Sequence, residues 1–199
     1  MPQHRLDTGP REFCVLVVCT GNICRSPLAA QLLSARLAVS PVPFAVSSAG
    51  TAARPGAPMD ETSAEQSRAR GGAPGSHGAT RLTEEVVRHA DLVLVAAREH
   101  RAAVVRLAPR VARRTFTLEE FARLAGSLDP ADLGSAVDPE AVVALVAGTR
   151  GTVRPPDDPG DDDVVDPYRR SVDVHEQAAA DIDRTVDAVV RALRAPHDA

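Results

Sequence analysis

The densest chemistry in this chain lies in one short stretch, Cys19-Thr-Gly-Asn-Ile-Cys-Arg-Ser-Pro27. Cys19 and Arg25 stand five residues apart, a spacing that chance often produces, so the setting matters as much as the letters. Phe13 to Val18 is an apolar, β-branched run that reads as a buried parallel strand. Ser26-Pro27 reads as a helix start, with Ser26 as the cap, Pro27 at the first helical position and apolar residues at helical spacing from Leu28 to Leu37. A loop between a strand and a helix start turns several backbone N–H groups toward one point, and the helix dipole adds positive potential there. That is an anion cradle of phosphate size. Gly21 and Asn22 tolerate the left-handed turns it needs. Arg25 can grip two oxygens with its planar fork. Cys19 at the mouth of this field is expected as a thiolate. A thiolate centred in an anion cradle suits phosphoryl transfer through a phosphocysteine.

The elements around this loop predict an α/β fold. Further strands are expected over Phe44–Val46, Asp91–Val95 and Thr115–Phe116. Helices are expected over 60–70, 83–89, 99–107, 118–124, 139–147 and 172–193. Alternating strands and helices imply a three-layer arrangement with a four-stranded parallel sheet between helices. Residues 1–12 read as a flexible tail and 13–195 as a single domain, with an insertion around 129–163.

Composition narrows the chemistry. All 23 basic residues are arginine, so Schiff-base and Walker-type lysine chemistry is excluded. The net charge of −4 leaves no electrostatic footprint for nucleic acid. No apolar run is long enough for a membrane helix, and the N-terminus lacks the apolar region of a signal peptide, so a cytoplasmic protein without membrane insertion is expected. The three cysteines (Cys14, Cys19 and Cys24) are odd in number and clustered, which makes a poor disulfide framework. They also make a poor zinc site. Residues 14 and 19 of an extended run face opposite ways, and no good fourth ligand is near. Cys14 reads as a small core residue. No metal or organic cofactor is expected.

The segment Val18–Pro27 resembles the phosphate-binding loop of the low-molecular-weight protein tyrosine phosphatases. A second element of that family, Asp166-Pro167-Tyr168, lies far downstream, before the last helix. Weaker matches are Ser47-Ser48-Ala49-Gly50 and Ser76-His77. The resemblance implies Cys19 as nucleophile, Arg25 and the backbone amides of Thr20, Gly21, Asn22, Ile23 and Cys24 as the phosphate grip, and Asp166 as general acid. It implies that Ser26 eases departure of the thiolate, that Tyr168 walls the cleft, and that Asn22, Ser48 and His77 brace the loop. It also implies a reversible Cys19–Cys24 disulfide under oxidation. Read alone, Asp166 could equally cap the last helix, His77 could be a surface loop histidine, and Cys24 could be inert packing. The substrate implied is phosphotyrosine in proteins. By resemblance to bacterial members a tyrosine kinase is the candidate partner, although nothing in this chain itself points to one.

The chain departs from the family in two places. The excess length falls mainly between Leu128 and Val164 and ends in Asp157-Asp-Pro-Gly-Asp-Asp-Asp163. This reads either as a solvated, mobile linker or as an acidic lid that would favour basic-flanked phosphopeptides. The cleft wall between Gly50 and Gly56 reads Thr-Ala-Ala-Arg-Pro, which puts an aromatic sandwich around phosphotyrosine in doubt. Arg54 there could face substrate anions or be merely solvated. Rival functions on this fold are arsenate reduction, protein-arginine phosphatase activity and non-catalytic phosphate binding. The first needs resolving cysteines downstream, and none follows Cys24. The second goes with a threonine where this chain has Ile23. The third needs neither Cys19 nor Asp166.

Overall fold

The computed structural model describes residues 11–197. Most of the expected tail therefore lies outside the described residues. At its end Arg11 ion-pairs with Asp91 and Glu140.

Four parallel strands form one sheet in the order β2-β1-β3-β4: β1 (Phe13–Cys19), β2 (Phe44–Gly50), β3 (Leu92–Val95) and β4 (Thr115–Thr117). Alternation along the strands feeds two cores. Phe13, Val15, Val17, Leu92, Leu94 and Phe116 pack toward α1 (Arg25–Leu37), α5 (Leu118–Ala125) and the long α8 (Val172–Arg194). Leu16, Val18, Val93 and Val95 pack toward α3 (Glu84–His89), α4 (Arg98–Leu107) and the turn before β4. The result is the expected three-layer α/β sandwich. Between β2 and α3, α2 (Glu61–Ala69) is capped by Asp60, whose carboxylate accepts the Ser63 N–H.

The structure corrects several sequence expectations. β2 runs on through Ser47–Gly50, because these residues complete the register with Leu16–Cys19. α1 begins at Arg25, and Ser26 does not cap it. Its hydroxyl is turned instead toward Cys19 and Asn22. Cys14 is half-buried rather than in the core, its N–H donating to Asp91.

The extra length is neither a loose linker nor a free acidic lid. α6 (Pro130–Gly134), which the sequence pattern did not mark, and α7 (Pro139–Gly148) add Leu133, Val142, Val143 and Val146 to the larger core. The end of the acidic run is pinned down by arginines. Asp162 accepts from Arg123 at 2.9 Å, and Asp163 accepts from both Nε and Nη2 of Arg98. Asp163 also accepts the Arg98 backbone N–H at 2.7 Å, capping α4 from a distance. Val164 is buried, and its N–H donates to the Ala96 carbonyl just past β3. The strap 158–166 is thereby fixed at the C-terminal end of the sheet, where the phosphate loop also lies.

Candidate active site

The loop Cys19–Arg25 leaves β1 and enters α1 at that end of the sheet. Its hub is Asn22, fully buried with φ of 56°, a left-handed conformation that asparagine tolerates and most residues do not. The Asn22 N–H donates to Cys19 Sγ at 3.3 Å. Its side-chain amide donates to the hydroxyls of Ser26 and Ser48, each at 2.9 Å, while Oδ1 accepts the Thr80 N–H at 2.7 Å. His77 Nε2 donates to the Asn22 carbonyl at 2.7 Å, which fixes that nitrogen as the protonated one. Ser26 Oγ lies 3.0 Å from Cys19 Sγ. The sulfur thus faces two hydrogen-bonding groups, one from the loop backbone and one from a side chain.

Arg25 is buried beneath the loop. Nη1 donates to the Val164 carbonyl at 3.2 Å, and Nη2 meets Asp166 Oδ2 at 2.9 Å. Asp166 is not a helix cap, since α8 starts at Val172 with Ser171 in the cap position. Its other oxygen accepts the Tyr168 N–H, which turns the following chain toward the cleft. Arg25 therefore touches both the backbone that carries Asp166 and the carboxylate itself.

A cavity of about 340 Å³ opens over this group. Cys19, Thr20, Gly21, Ile23, Cys24 and Arg25 form its floor, Asp166 and Tyr168 one side, and Ala52, Arg54, Ala57 and Pro58 the other. Of the expected site residues, these eight line the cavity, while Asn22, Ser26, Ser48 and His77 form the bonded network behind the loop. No aromatic residue lines the wall opposite Tyr168. A larger, shallower groove beside α1 and β2 contains no cysteine.

His100 was not marked by the sequence. It is buried on α4, and its Nε2 lies 2.8 Å from Thr20 Oγ1, behind the phosphate loop. Burial and the nearby Arg25 charge push its pKa down. Only the three-dimensional packing brings it there. Cys24 is also buried, and burial pushes its thiol up to about 12. All three cysteines are free, and among the described residues no cluster of His, Cys, Asp and Glu is arranged to hold a metal ion.

The family model for low molecular weight phosphotyrosine protein phosphatases matches residues 14–146. The chain belongs to this family. The low molecular weight protein-tyrosine-phosphatase Etp of Escherichia coli K12 is 38% identical over 107 residues, 54% of this chain and 70% of Etp. A protein-arginine-phosphatase of Bacillus subtilis is 26% identical over 180 residues, 90% of this chain and 96% of its own length. Among solved structures, the low molecular weight protein tyrosine phosphatase from T. tengcongensis superposes with a TM-score of 0.66 at 27% identity, covering 90% of this chain and 98% of that one. The family match ends before the strap, so the Asp166 contact with Arg25 is an independent geometric observation. Among the described residues, no helix is long and apolar enough to cross a membrane.

Proposed function

We propose that this protein hydrolyses phosphotyrosine in proteins through a phosphocysteine on Cys19. The observation that carries this reading is the meeting of Cys19, Arg25 and Asp166 at one cavity, with Asn22 N–H and Ser26 Oγ directed at the sulfur. The thiolate attacks phosphorus in line, so the S–P bond forms as the bond to the phenolic oxygen breaks. Loop amides and Arg25 match the charge on the equatorial oxygens. Asp166 gives its proton to the leaving oxygen and then takes one from the water that cleaves the S–P bond. Ser26 donates to the departing thiolate. An entering phosphate displaces the Asp166 carboxylate from Arg25, and Asp166, taking up a proton from solvent once that partner is lost, turns toward the leaving oxygen. Ile23 offers an apolar, β-branched contact to the ring, and Tyr168 forms the wall facing it. Ser48 and His77 act through Asn22.

Phosphoarginine is the second reading, favoured by the Bacillus subtilis relative and by the absence of an aromatic opposite Tyr168. Matched phosphotyrosine, phosphoarginine and phosphoserine peptides separate the two. Faster hydrolysis of phosphoarginine would overturn the Ile23 argument. Cys19→Ser and Arg25→Ala are expected to abolish hydrolysis of an aryl phosphate, and Asp166→Ala to slow poor leaving groups more than good ones. An active Cys19→Ser protein would refute the assigned nucleophile. A tyrosine kinase partner rests on family resemblance, and co-purification from the source cell tests it.

A further inference from the structure

The wall opposite Tyr168 is built on the phosphate loop itself. Thr51 N–H donates to the Cys19 carbonyl at 3.0 Å and Ala52 N–H to the Thr20 carbonyl at 2.9 Å. The Ala57 N–H closes the turn onto the Arg54 carbonyl at 3.1 Å, and Gly56 and Ala57 pair with Ala79. The backbone under Arg54 is therefore held rigidly relative to the nucleophile. The Arg54 side chain is not: it is exposed, lines the cavity, and has no ion-pair or hydrogen-bond partner among the described residues.

The neighbouring charges are already committed. Asp166 faces Arg25, and Asp60 caps α2 and faces His175. Asp162 and Asp163, the nearest part of the acidic run in sequence, are taken by Arg123 and Arg98. On the opposite rim, Arg169 lies 5.1 Å from the Tyr168 ring centroid and adds a second cation. Arg54 and Arg169 thus place positive charge on both rims, and with Asp162 and Asp163 neutralised a basic-flanked preference would rest on the more distant Asp158 and Asp161 alone.

Resting on the phosphotyrosine reading above, we propose that Arg54 selects substrates carrying an acidic side chain beside the phosphotyrosine. The ring and phosphate fill the floor of the cavity. The adjacent residues of the peptide cross the rim, where a Glu or Asp pairs with Arg54. Because the pair is exposed, it discriminates modestly and is weakened by salt.

The test uses phosphotyrosine peptides that differ only in having Glu, Gln or Lys at each position next to the phosphotyrosine, with an unflanked aryl phosphate alongside. For the wild type, kcat/KM at low salt is expected to be about two- to five-fold higher for the Glu peptide than for its Lys counterpart, the range set by an exposed ion pair. High salt should shrink the ratio. Arg54→Glu should invert it. Arg110→Glu makes the same change in net charge at the opposite end of the sheet and should leave it standing. A wild-type ratio of one, or a ratio surviving in Arg54→Glu, overturns the proposal. Hydrolysis of the aryl phosphate with no flank preference defeats this inference alone. No hydrolysis of the aryl phosphate or any phosphotyrosine peptide defeats the reading beneath it as well.

Discussion

Replacing Asn22 tests whether a bonded network, rather than the loop sequence alone, holds the nucleophile in place. Asn22→Ala removes three side-chain hydrogen bonds, to Ser26, Ser48 and Thr80, in a fully buried setting. Each is worth about 1 kcal/mol net, and more where the partner is left buried and unpaired. The half-buried Ser48 can recover water; the Thr80 N–H and the buried Ser26 are worse placed to do so. Alanine must also hold the left-handed φ of 56°, at a cost of about 1 kcal/mol. The sum is about 3–5 kcal/mol, shared between global stability and local loop order. If half of it falls on loop order, kcat for an aryl phosphate drops about 10- to 100-fold. Asn22→Gly loses the same bonds but not the backbone conformation, so it should be about 1 kcal/mol more stable than Asn22→Ala while comparably impaired. Thermal unfolding and steady-state hydrolysis of both variants provide the assay. Wild-type activity in either variant, or a glycine variant less stable than the alanine one, would refute the reasoning.

Three further predictions follow from the same geometry. A Cβ built on Gly50 would lie 2.6 Å from the Thr20 carbonyl oxygen and 2.9 Å from the Asn22 nitrogen, both loop backbone, so Gly50→Ala should cost more than about 100-fold in activity with a stability loss of about 1–3 kcal/mol; near-normal kinetics would show that the loop can yield. Arg98→Ala removes the guanidinium bonds that hold Asp163 and leaves only the bond from the position-98 backbone N–H, so the strap loosens, and kcat should fall about five-fold for a poor leaving group and less for a good one, because the acid rather than the nucleophile is displaced; equal losses for both leaving groups would contradict that. Burial pushes Glu119 up to about 7 despite its ion pair with Arg184, so the folded state holds its proton over a range where the unfolded chain does not, and stability from this group falls as pH rises from about 4.5 through 7. Glu119→Gln should remove a slope on the order of 1–3 kcal/mol between those limits, measured by urea unfolding at both ends; an unchanged slope would remove Glu119 as its source.

The strand-loop-helix unit at Cys19–Arg25 was legible because its signals are local: an apolar strand, turn residues and an apolar period of helical spacing. The helix start was misread for an equally physical reason. Ser26 has the side chain of a cap, but its hydroxyl satisfies Cys19 and Asn22 across the loop, which no local pattern records. The end of β2 was missed because Ser47 and Ser48 look like loop residues. On an edge strand such hydroxyls are free to serve a neighbouring loop, and Ser48 accepts from Asn22. The acidic run was misjudged because its partners, Arg98 and Arg123, are remote in sequence. His100 gave no signal, since its contact with Thr20 exists only through the packing of α4 under the loop.

The same remoteness explains how Asp166 comes to serve Cys19. In a parallel sheet the C-terminal ends of β1, β2 and β3 share one edge, so Cys19, Gly50 and the residues just after Val95 converge without any direct sequence link. Ala96 offers its carbonyl there, and the Val164 N–H takes it. The Val164 carbonyl in turn accepts from Arg25, and two residues later Asp166 reaches the same guanidinium. Arg25 therefore has two tasks that compete for one fork of donors: gripping an oxyanion and holding the strap that carries the acid. A lysine could offer the charge, but it lacks the rigid planar fork that addresses a carbonyl and a carboxylate from separate nitrogens at fixed angles. In a chain with no lysine at all, that substitution separates the tasks cleanly. Arg25→Lys should retain some affinity for an oxyanion while losing the coupling between phosphate entry and release of Asp166. The expected signature is a loss that is larger in kcat than in phosphate inhibition, and a variant with equal losses in both would show that the two tasks are not joined through Arg25.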